Sequence, residues 1–335
     1  MRLALFECEP HEREFFERHL TGHELTFFAD PLSETTAREA TEAEAVSVFV
    51  YSQVNESVLS WLPHVKLVTT RSMGFNHIDL AACVAHGITV AYVPAYGERT
   101  VAEHTMALIL ALSRKIFQAY ERTEKGVFDY RGLTGFDLYG KTIGLVGGGR
   151  IGLNVARLAR AFGMEVLVSD PYPKPELASE IGFTYTPLET LLQKADVISL
   201  HAPYSAATHH LLNDEKLKLV KRGAILVNTA RGGLLDTAAL LKALDDGRLA
   251  GAGLDVLEEE CAIHEEYEVL TQSYAKKCDL ATLLRNHLLI ARDNVIITPH
   301  IAFNSREALE RIMSTTVANI QGFADGKPVN LVPSK

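Results

Sequence analysis

Residues 142–170 read TIGLVGGGRIGLNVARLARAFGMEVLVSD, and the order of residue types in this stretch decides the fold. TIGLV is a short apolar run with strand character. Gly147-Gly148-Gly149-Arg150-Ile151-Gly152 follows, then an Ala/Leu/Arg-rich helical segment, then a second strand, EVLVS, ending at Asp170. Strand, glycine turn, helix, strand and acidic residue in that order make a dinucleotide-binding fingerprint. Gly147 permits the tight turn out of the strand, Gly149 lets backbone approach a pyrophosphate, and Gly152 lets the helix pack closely. The amides from Arg150 and Ile151 onward would face phosphate oxygens at the positive end of the helix. Asp170 stands 18 residues after Gly152. A carboxylate there would accept hydrogen bonds from ribose hydroxyls and repel a 2′-phosphate, so NAD is expected rather than NADP.

The fingerprint lies mid-chain, with about 140 residues before it, so another domain is built first. In those residues LALF (3–6), LTFF (25–28), VSVFVY (46–51), VKLVTT (65–70) and ITVAYV (88–93) read as buried strands. Helical stretches such as 34–44 and 79–86 separate them, which predicts a small α/β domain with a parallel sheet. Residues 101–117, VAEHTMALILALSRKIF, read as one long helix, apolar almost all round, buried between domains or against a second subunit. A second alternating series runs from 142. Its strands are TIGLV, EVLVS (165–169), VISL (197–200), AILVN (224–228), AGLDV (252–256) and VIIT (295–298), six in a doubly wound sheet. The last helix, near 305–323, carries Leu309, Ile312, Met313, Thr316, Val317, Ile320 and Phe323 on one face. It is spare to the nucleotide fold and is expected to return to the N-terminal domain. The expected division is therefore 1–98 with 304–335 around an inserted 99–303. Residues 258–292 are an acidic, then helical, excursion between the fifth and sixth strands of the second series.

Composition narrows the class. The 335 residues suffice for about two domains. Apolar residues make up 47%, enough for real cores. A net charge of −9 gives no basic face for nucleic acid or anionic membrane. Cys8, Cys83, Cys261 and Cys278 form no CxxC pair and no zinc-ligand spacing, so reduced thiols and no metal are expected. The start, MRLALFECEPHERE, turns acidic too early for a signal peptide, and no apolar run approaches a membrane span, so a cytoplasmic protein is expected.

In an open α/β sheet, ligands bind outside the carboxyl ends of the strands. Just past three of the runs stand Thr229-Ala230-Arg231, Glu258-Glu259-Glu260 and Pro299-His300. An arginine, a carboxylate and a histidine thus share a rim with the glycine turn. The segments that carry them, NTARGGLLD (228–236), GAGLDVLEEE (251–260) and TPHIAF (298–303), resemble the signatures of the D-isomer-specific 2-hydroxyacid dehydrogenase family. YGKTIGLVGGGRIG and HAPYSAATHHLLN resemble its nucleotide domain. TRSMGFNHIDL (70–80) and VPAYGERTVAEHT (93–105) resemble its substrate domain and interdomain helix, and RGLTGFDLYGK (131–141) its lactate-type branch.

The resemblance implies a Rossmann-type NAD domain inserted into a smaller flavodoxin-like α/β substrate domain, with the active site in a cleft between them. It implies Arg231 as the clamp for the substrate carboxylate and C2 carbonyl, a role suited to a planar, always-charged fork. His300 is implied as the acid/base at the C2 oxygen, and Glu260 as the partner of its other ring nitrogen, favouring the imidazolium. Glu260 is chosen over Glu258 and Glu259 because it follows Asp255 by five residues. The proline that often follows this glutamate in the family is Cys261 here. Met73 and Gly74 would offer amides to the substrate carboxylate, with Tyr96 and Phe303 lining the pocket. Ala202, Pro203, Thr208, Thr229, Ala230, Arg231 and Asp255 would contact the cofactor. His104, beside Thr105 on the interdomain helix, reads as structural.

Large residues (Tyr51, Tyr96, Phe303) and no basic residue near the substrate beyond Arg71 and Arg231 suggest a small uncharged R group. The expected reaction is reduction of pyruvate to (R)-lactate by NADH. Hydroxypyruvate, glyoxylate or a branched 2-keto acid are alternative substrates. The 39 residues between Glu260 and His300 fit the lactate type, and no length remains for a C-terminal regulatory domain. An NADH-sensing, corepressor-like binding protein is the alternative of another class; the chain ends two residues after VNLVP, without the tail such regulators carry. A homodimer is implied by the resemblance.

Overall fold

The structure, a computed structural model, describes residues 1–258 and 280–333. It divides into two compact units, one formed by 1–96 with 304–335 and the other by 97–303. No helix among the described residues is long and apolar enough to cross a membrane.

The first unit holds β1 (Arg2–Leu5), α1 (Pro10–His19), β2 (Glu24–Phe27), α2 (Glu34–Ala37), β3 (Ala45–Val48), α3 (Glu56–Leu59), β4 (Leu67–Thr70), α4 (Leu80–Ala85) and β5 (Thr89–Ala91). All strand pairs are parallel, in the order β2-β1-β3-β4-β5. Side chains alternate across a strand, so a sheet covered on both faces needs apolar residues at every position. Leu3, Leu5, Ala45, Leu67 and Ala91 face Phe16 and Leu20 on one side. Ala4, Phe6, Val46, Val48 and Val68 face Ala37, Val58, Leu59 and Cys83 on the other.

The second unit holds α5 (Glu98–Ser113), α6 (Ile116–Glu124), β6 (Thr142–Val146), α7 (Arg150–Ala161), β7 (Glu165–Ser169), α8 (Pro175–Ile181), β8 (Thr184–Tyr185), α9 (Leu188–Lys194), β9 (Val197–Leu200), α10 (Asp214–Leu217), β10 (Ala224–Asn228), α11 (Thr237–Asp245), β11 (Leu249–Leu254), α12 (Leu280–Ile290) and β12 (Val295–Ile297). Its parallel sheet runs β12-β11-β10-β9-β6-β7-β8. The strand order reverses between β6 and β9, beside the glycine turn, which is where a doubly wound sheet opens a crevice for ligands.

The final helix, α13 (Arg306–Ala324), belongs to the first unit. Met313, Val317 and Ile320 complete the cluster around Phe16. Asn319 Nδ2 donates to Tyr92 O at 3.0 Å, and its Oδ1 accepts from Asn330 Nδ2 at 2.8 Å, so the terminal segment is pinned to the same sheet.

Several expectations are corrected. Among the described residues the second sheet has seven strands rather than six. The added strand, β8, is two residues at an edge, too short to show a period. The expected helix 101–117 starts earlier and breaks. Lys115 takes φ 52°, a separate helix α6 begins at Ile116, and Ser113 O accepts from Phe136 N at 2.9 Å. Both α5 and its buried side chains Leu108, Ile109 and Leu112 pack into the core of the second unit itself. The helical stretch expected over 34–44 keeps only Glu34–Ala37 as α2. The apolar run 46–51 leaves the sheet after Val48, because the amides of Phe49, Tyr51 and Ser52 bond the Glu7 carboxylate instead.

Candidate active site

At the nucleotide end, Gly147 takes φ 109°, and a Cβ there would lie 2.6 Å from the His201 carbonyl carbon. Only glycine permits both the turn and this approach. A Cβ on Gly152 would lie 2.2 Å from Gly147 O, so the first turn of α7 rests directly on the glycine turn. Nothing lies within 4 Å of a Cβ built on Gly149, which caps α7 and is exposed. Arg150 and Ile151 open α7, and the Arg150 guanidinium pairs with Glu98 at 2.9 Å. Asp170 accepts from Gly148 N at 2.7 Å and from Tyr172 N at 2.8 Å, so its carboxylate is aimed at the turn. A cleft of about 490 Å³ beside it is lined by Ser169, Asp170, Pro171, Pro173, Tyr185, Thr186 and Pro187. Open backbone at a helix N-terminus, a carboxylate across the turn and an apolar-walled cleft fit the pyrophosphate, ribose and adenine of a dinucleotide.

Ala202, Pro203 and Thr208 follow β9 on the same rim. Thr208 Oγ1 donates to Pro203 O at 2.7 Å and accepts from Ser205 N, so it shapes its own turn. Burial pulls the His201 pKa down to about 4, leaving a neutral ring whose Nε2 pairs with Ser199 Oγ at 2.9 Å.

The expected catalytic groups leave three neighbouring strands. Asn228 ends β10; its Oδ1 accepts from Ala230 N and its Nδ2 donates to Arg231 O, holding the bend that turns the Arg231 side chain outward. Thr229 is buried, its Oγ1 2.9 Å from Thr105 Oγ1 on α5. Asp255 lies just beyond β11, and its amide donates to Asn228 O at 2.9 Å. His300 N donates in turn to Asp255 O and Thr298 O, both at 2.9 Å. A continuous set of main-chain bonds therefore links the exits of β10, β11 and β12.

Asp255 is 1% exposed and gathers the loop that carries His300. Its Oδ1 accepts from Thr298 Oγ1 at 2.5 Å and Ile301 N at 2.9 Å, and its Oδ2 from Ala302 N at 2.9 Å. His104 joins this network through Nε2, 3.1 Å from Thr298 Oγ1 and 3.5 Å from Asp255 Oδ1. His300 itself is exposed, with φ 51°. Asp255 and Thr298 as loop organisers were not readable from sequence, since the bonds run to main-chain amides that every residue carries.

Glu260 lies outside the described residues. Its neighbour Glu258 is committed elsewhere, with His210 Nε2 at 2.5 Å and Thr237 Oγ1 at 2.8 Å from its carboxylate.

In the first unit, Met73 and Gly74 follow β4, half-buried, and Gly74 O accepts from Ser72 Oγ at 2.6 Å. Tyr96 ends the first segment of this unit, its carbonyl accepting from Arg311 Nε at 2.6 Å. Phe303 ends the second unit, its Cβ 3.7 Å from a Cβ built on Gly97. Arg71, expected as one of two basic residues near the substrate, lies elsewhere. It is 1% exposed, donates to Phe6 O, Glu7 O and Ser47 Oγ, and lies 3.4 Å from Glu12. A guanidinium so deeply buried, with Nη1 and Nη2 spent on the protein's own oxygens, is a core tie, not a ligand group.

Residues 106–302 match the profile of the D-isomer specific 2-hydroxyacid dehydrogenase NAD-binding domain. The chain is 40% identical over 329 residues to 2-hydroxyacid dehydrogenase homolog 1 of Schizosaccharomyces pombe, covering 97% of this chain and 96% of that one. It is 37% identical over 334 residues to the D-lactate dehydrogenase of Escherichia coli, covering 98% of each. The solved D-lactate dehydrogenase of Aquifex aeolicus, complexed with NAD and lactic acid, superposes with a TM-score of 0.85 at 39% identity, over 99% of this chain and 100% of that one. With the glycine turn, Asp170 and the linked exits of β10, β11 and β12, these likenesses establish that the chain belongs to the D-isomer-specific 2-hydroxyacid dehydrogenases, NAD-dependent oxidoreductases acting on CH–OH donors.

Proposed function

We propose that this protein reduces pyruvate to (R)-lactate with NADH, reversibly. The observation that supports the reading best is the main-chain linkage from Asn228 through Asp255 to His300, which ties the Arg231 bend to the His300 loop. Bound NADH supplies the hydride that reaches C2. Arg231, outward-facing, holds the substrate carboxylate and draws charge toward the C2 oxygen as alkoxide character develops. His300 donates a proton to that oxygen in reduction and takes it back in oxidation. Glu260, five residues after Asp255, is the carboxylate assigned to favour the charged ring, and Glu258 is already engaged by His210 and Thr237. The amides of Met73 and Gly74 take the remaining carboxylate oxygen. Tyr96 and Phe303 exclude water from the reacting carbonyl.

Pyruvate is preferred because the likenesses include proteins named D-lactate dehydrogenase and because Arg71, buried, adds no positive charge for a second substrate carboxylate. Two copies are proposed to associate through the second unit, where Ile116, Phe117, Tyr120, Val127, Phe128, Tyr130 and Tyr139 are exposed.

The deciding experiment follows NADH oxidation with pyruvate, hydroxypyruvate, glyoxylate and 4-methyl-2-oxopentanoate, then resolves the product by chiral chromatography. Pyruvate is expected to give the highest kcat/KM, and its product to be (R)-lactate. (S)-lactate, or no turnover with any 2-keto acid, overturns the reading; a different preferred acid overturns only the substrate.

A further inference from the structure

The β2-β1-β3-β4-β5 order of the smaller sheet places its own reversal between β1 and β3. A crevice at the carboxyl ends of such a strand pair is where doubly wound sheets take ligands. Here one side chain of the protein fills it. Glu7, two residues beyond β1, takes φ 52°, a conformation uncommon outside glycine and asparagine. Its carboxylate reaches across to the loop after β3. Oε1 accepts from Tyr51 N at 2.8 Å; Oε2 accepts from Phe49 N at 3.0 Å, Ser52 N at 3.1 Å and the Ser52 hydroxyl.

Four donors converge on two oxygens, a set that a carboxylate's acceptor-only oxygens suit. Glu7 is held at its main chain as well. Its amide donates to Asp30 O at 3.1 Å, and its carbonyl accepts from Arg71 Nη2 at 2.7 Å. The clasp thus joins the ends of β1, β3 and β4. Arg71 opens the β4 loop that leads to Met73 and Gly74, and its amide donates to Val48 O at 2.8 Å. The loop that results is fixed by its backbone, while Tyr51, 59% exposed, stands three residues beyond β3, the strand paired with β4.

We propose that Glu7 is a positioning residue for substrate selection: it locks the Phe49–Ser52 loop so that Tyr51 forms a fixed wall against the R group of the 2-keto acid. This rests on the proposed reading that Met73 and Gly74 hold the substrate carboxylate. The rigid wall favours a methyl group and disfavours longer chains.

The test compares Glu7→Gln and Glu7→Ala with the unsubstituted protein, for pyruvate and 4-methyl-2-oxopentanoate. In Glu7→Gln the amide oxygen can serve the Oε2 set while its NH2 meets Tyr51 N–H, so the Tyr51 amide loses its acceptor with little change in side-chain shape. The kcat/KM ratio of pyruvate to the longer acid is expected to fall about tenfold, the scale of one methylene-sized change in a pocket. The loss should lie in the KM for pyruvate, with NADH affinity by fluorescence unchanged. Tyr51→Ala should lower the ratio similarly, and adding Glu7→Gln to it should change the ratio no further. An unchanged ratio in Glu7→Gln, with a lowered Tm alone, overturns the role of Glu7. So does an equal loss for both acids, or additivity with Tyr51→Ala. No turnover of any 2-keto acid by the unsubstituted protein would instead overturn the underlying reading.

Discussion

At His300 the backbone takes φ 51°, a conformation costing a side-chain-bearing residue about 1–2 kcal/mol. The surroundings over-determine it. His300 N donates twice, and the amides of the next two residues, Ile301 and Ala302, end on the two oxygens of Asp255. His300→Ala removes the proposed acid/base and should lower kcat by about 10²–10⁴-fold, the range of general acid–base catalysis, with NADH binding by fluorescence intact. Asp255→Asn should act differently. The new NH2 faces at least one amide donor, so the loop loses a charge-assisted bond and stability in urea falls by about 1–3 kcal/mol. Turnover then falls through misplacement of the imidazole, and His300→Ala in the Asp255→Asn background should cost far less than it does alone. Full additivity would show that Asp255 does not act through His300.

At the scale of the element, β6, the glycine turn and α7 form one rigid unit. Gly152→Ala puts a methyl 2.2 Å from Gly147 O, a main-chain atom that cannot swing away. The turn must shift, and NADH affinity should drop by about tenfold or more, roughly the 1.4 kcal/mol of one lost charge-assisted amide bond. Fluorescence titration checks this, and an unchanged Kd would mean that the turn does not hold the pyrophosphate. This element was legible in sequence because each part has its own local signature: an apolar run, glycines at fixed offsets, a helical stripe and Asp170. Buried parallel strands were legible for the same reason, since both faces need apolar side chains. Less survives where the cause is non-local. The helix break at Lys115 depends on Ser113 O meeting Phe136 N, a partner more than twenty residues away. The end of β3 at Val48 depends on Glu7, about forty residues earlier. Residue type marks Arg231 and His300 as rim groups beyond strands, whereas nothing in the residue type of Arg71 shows that it is buried, with Nη2 donating to Glu7 O.

For the whole molecule, the proposed association of two copies calls for an exposed apolar surface. The apolar helix, expected between domains or against a second subunit, instead spends Ala102, Met106, Leu108, Ile109 and Leu112 of α5 on the core of the second unit. Segment 116–139 takes its place as the exposed apolar stretch. Phe128 is 97% exposed and Tyr130 86%, on a segment whose backbone is nevertheless held by Arg122 Nη1 donating to Asp129 O and Arg131 O. Large aromatics fixed on an ordered backbone lose little entropy on docking, which suits them to anchor an interface. Sedimentation equilibrium at micromolar concentration should therefore give twice the 36.9 kDa chain mass. Phe128→Ser with Tyr130→Ser should shift the protein to monomer, since buried aromatic anchors cost about 2 kcal/mol or more each when removed from an interface. Both side chains are exposed in the single chain, so the double variant should keep its circular dichroism spectrum and NADH binding. A monomeric unsubstituted protein would rule out association at this concentration, and a dimeric double variant would place the contact on another face.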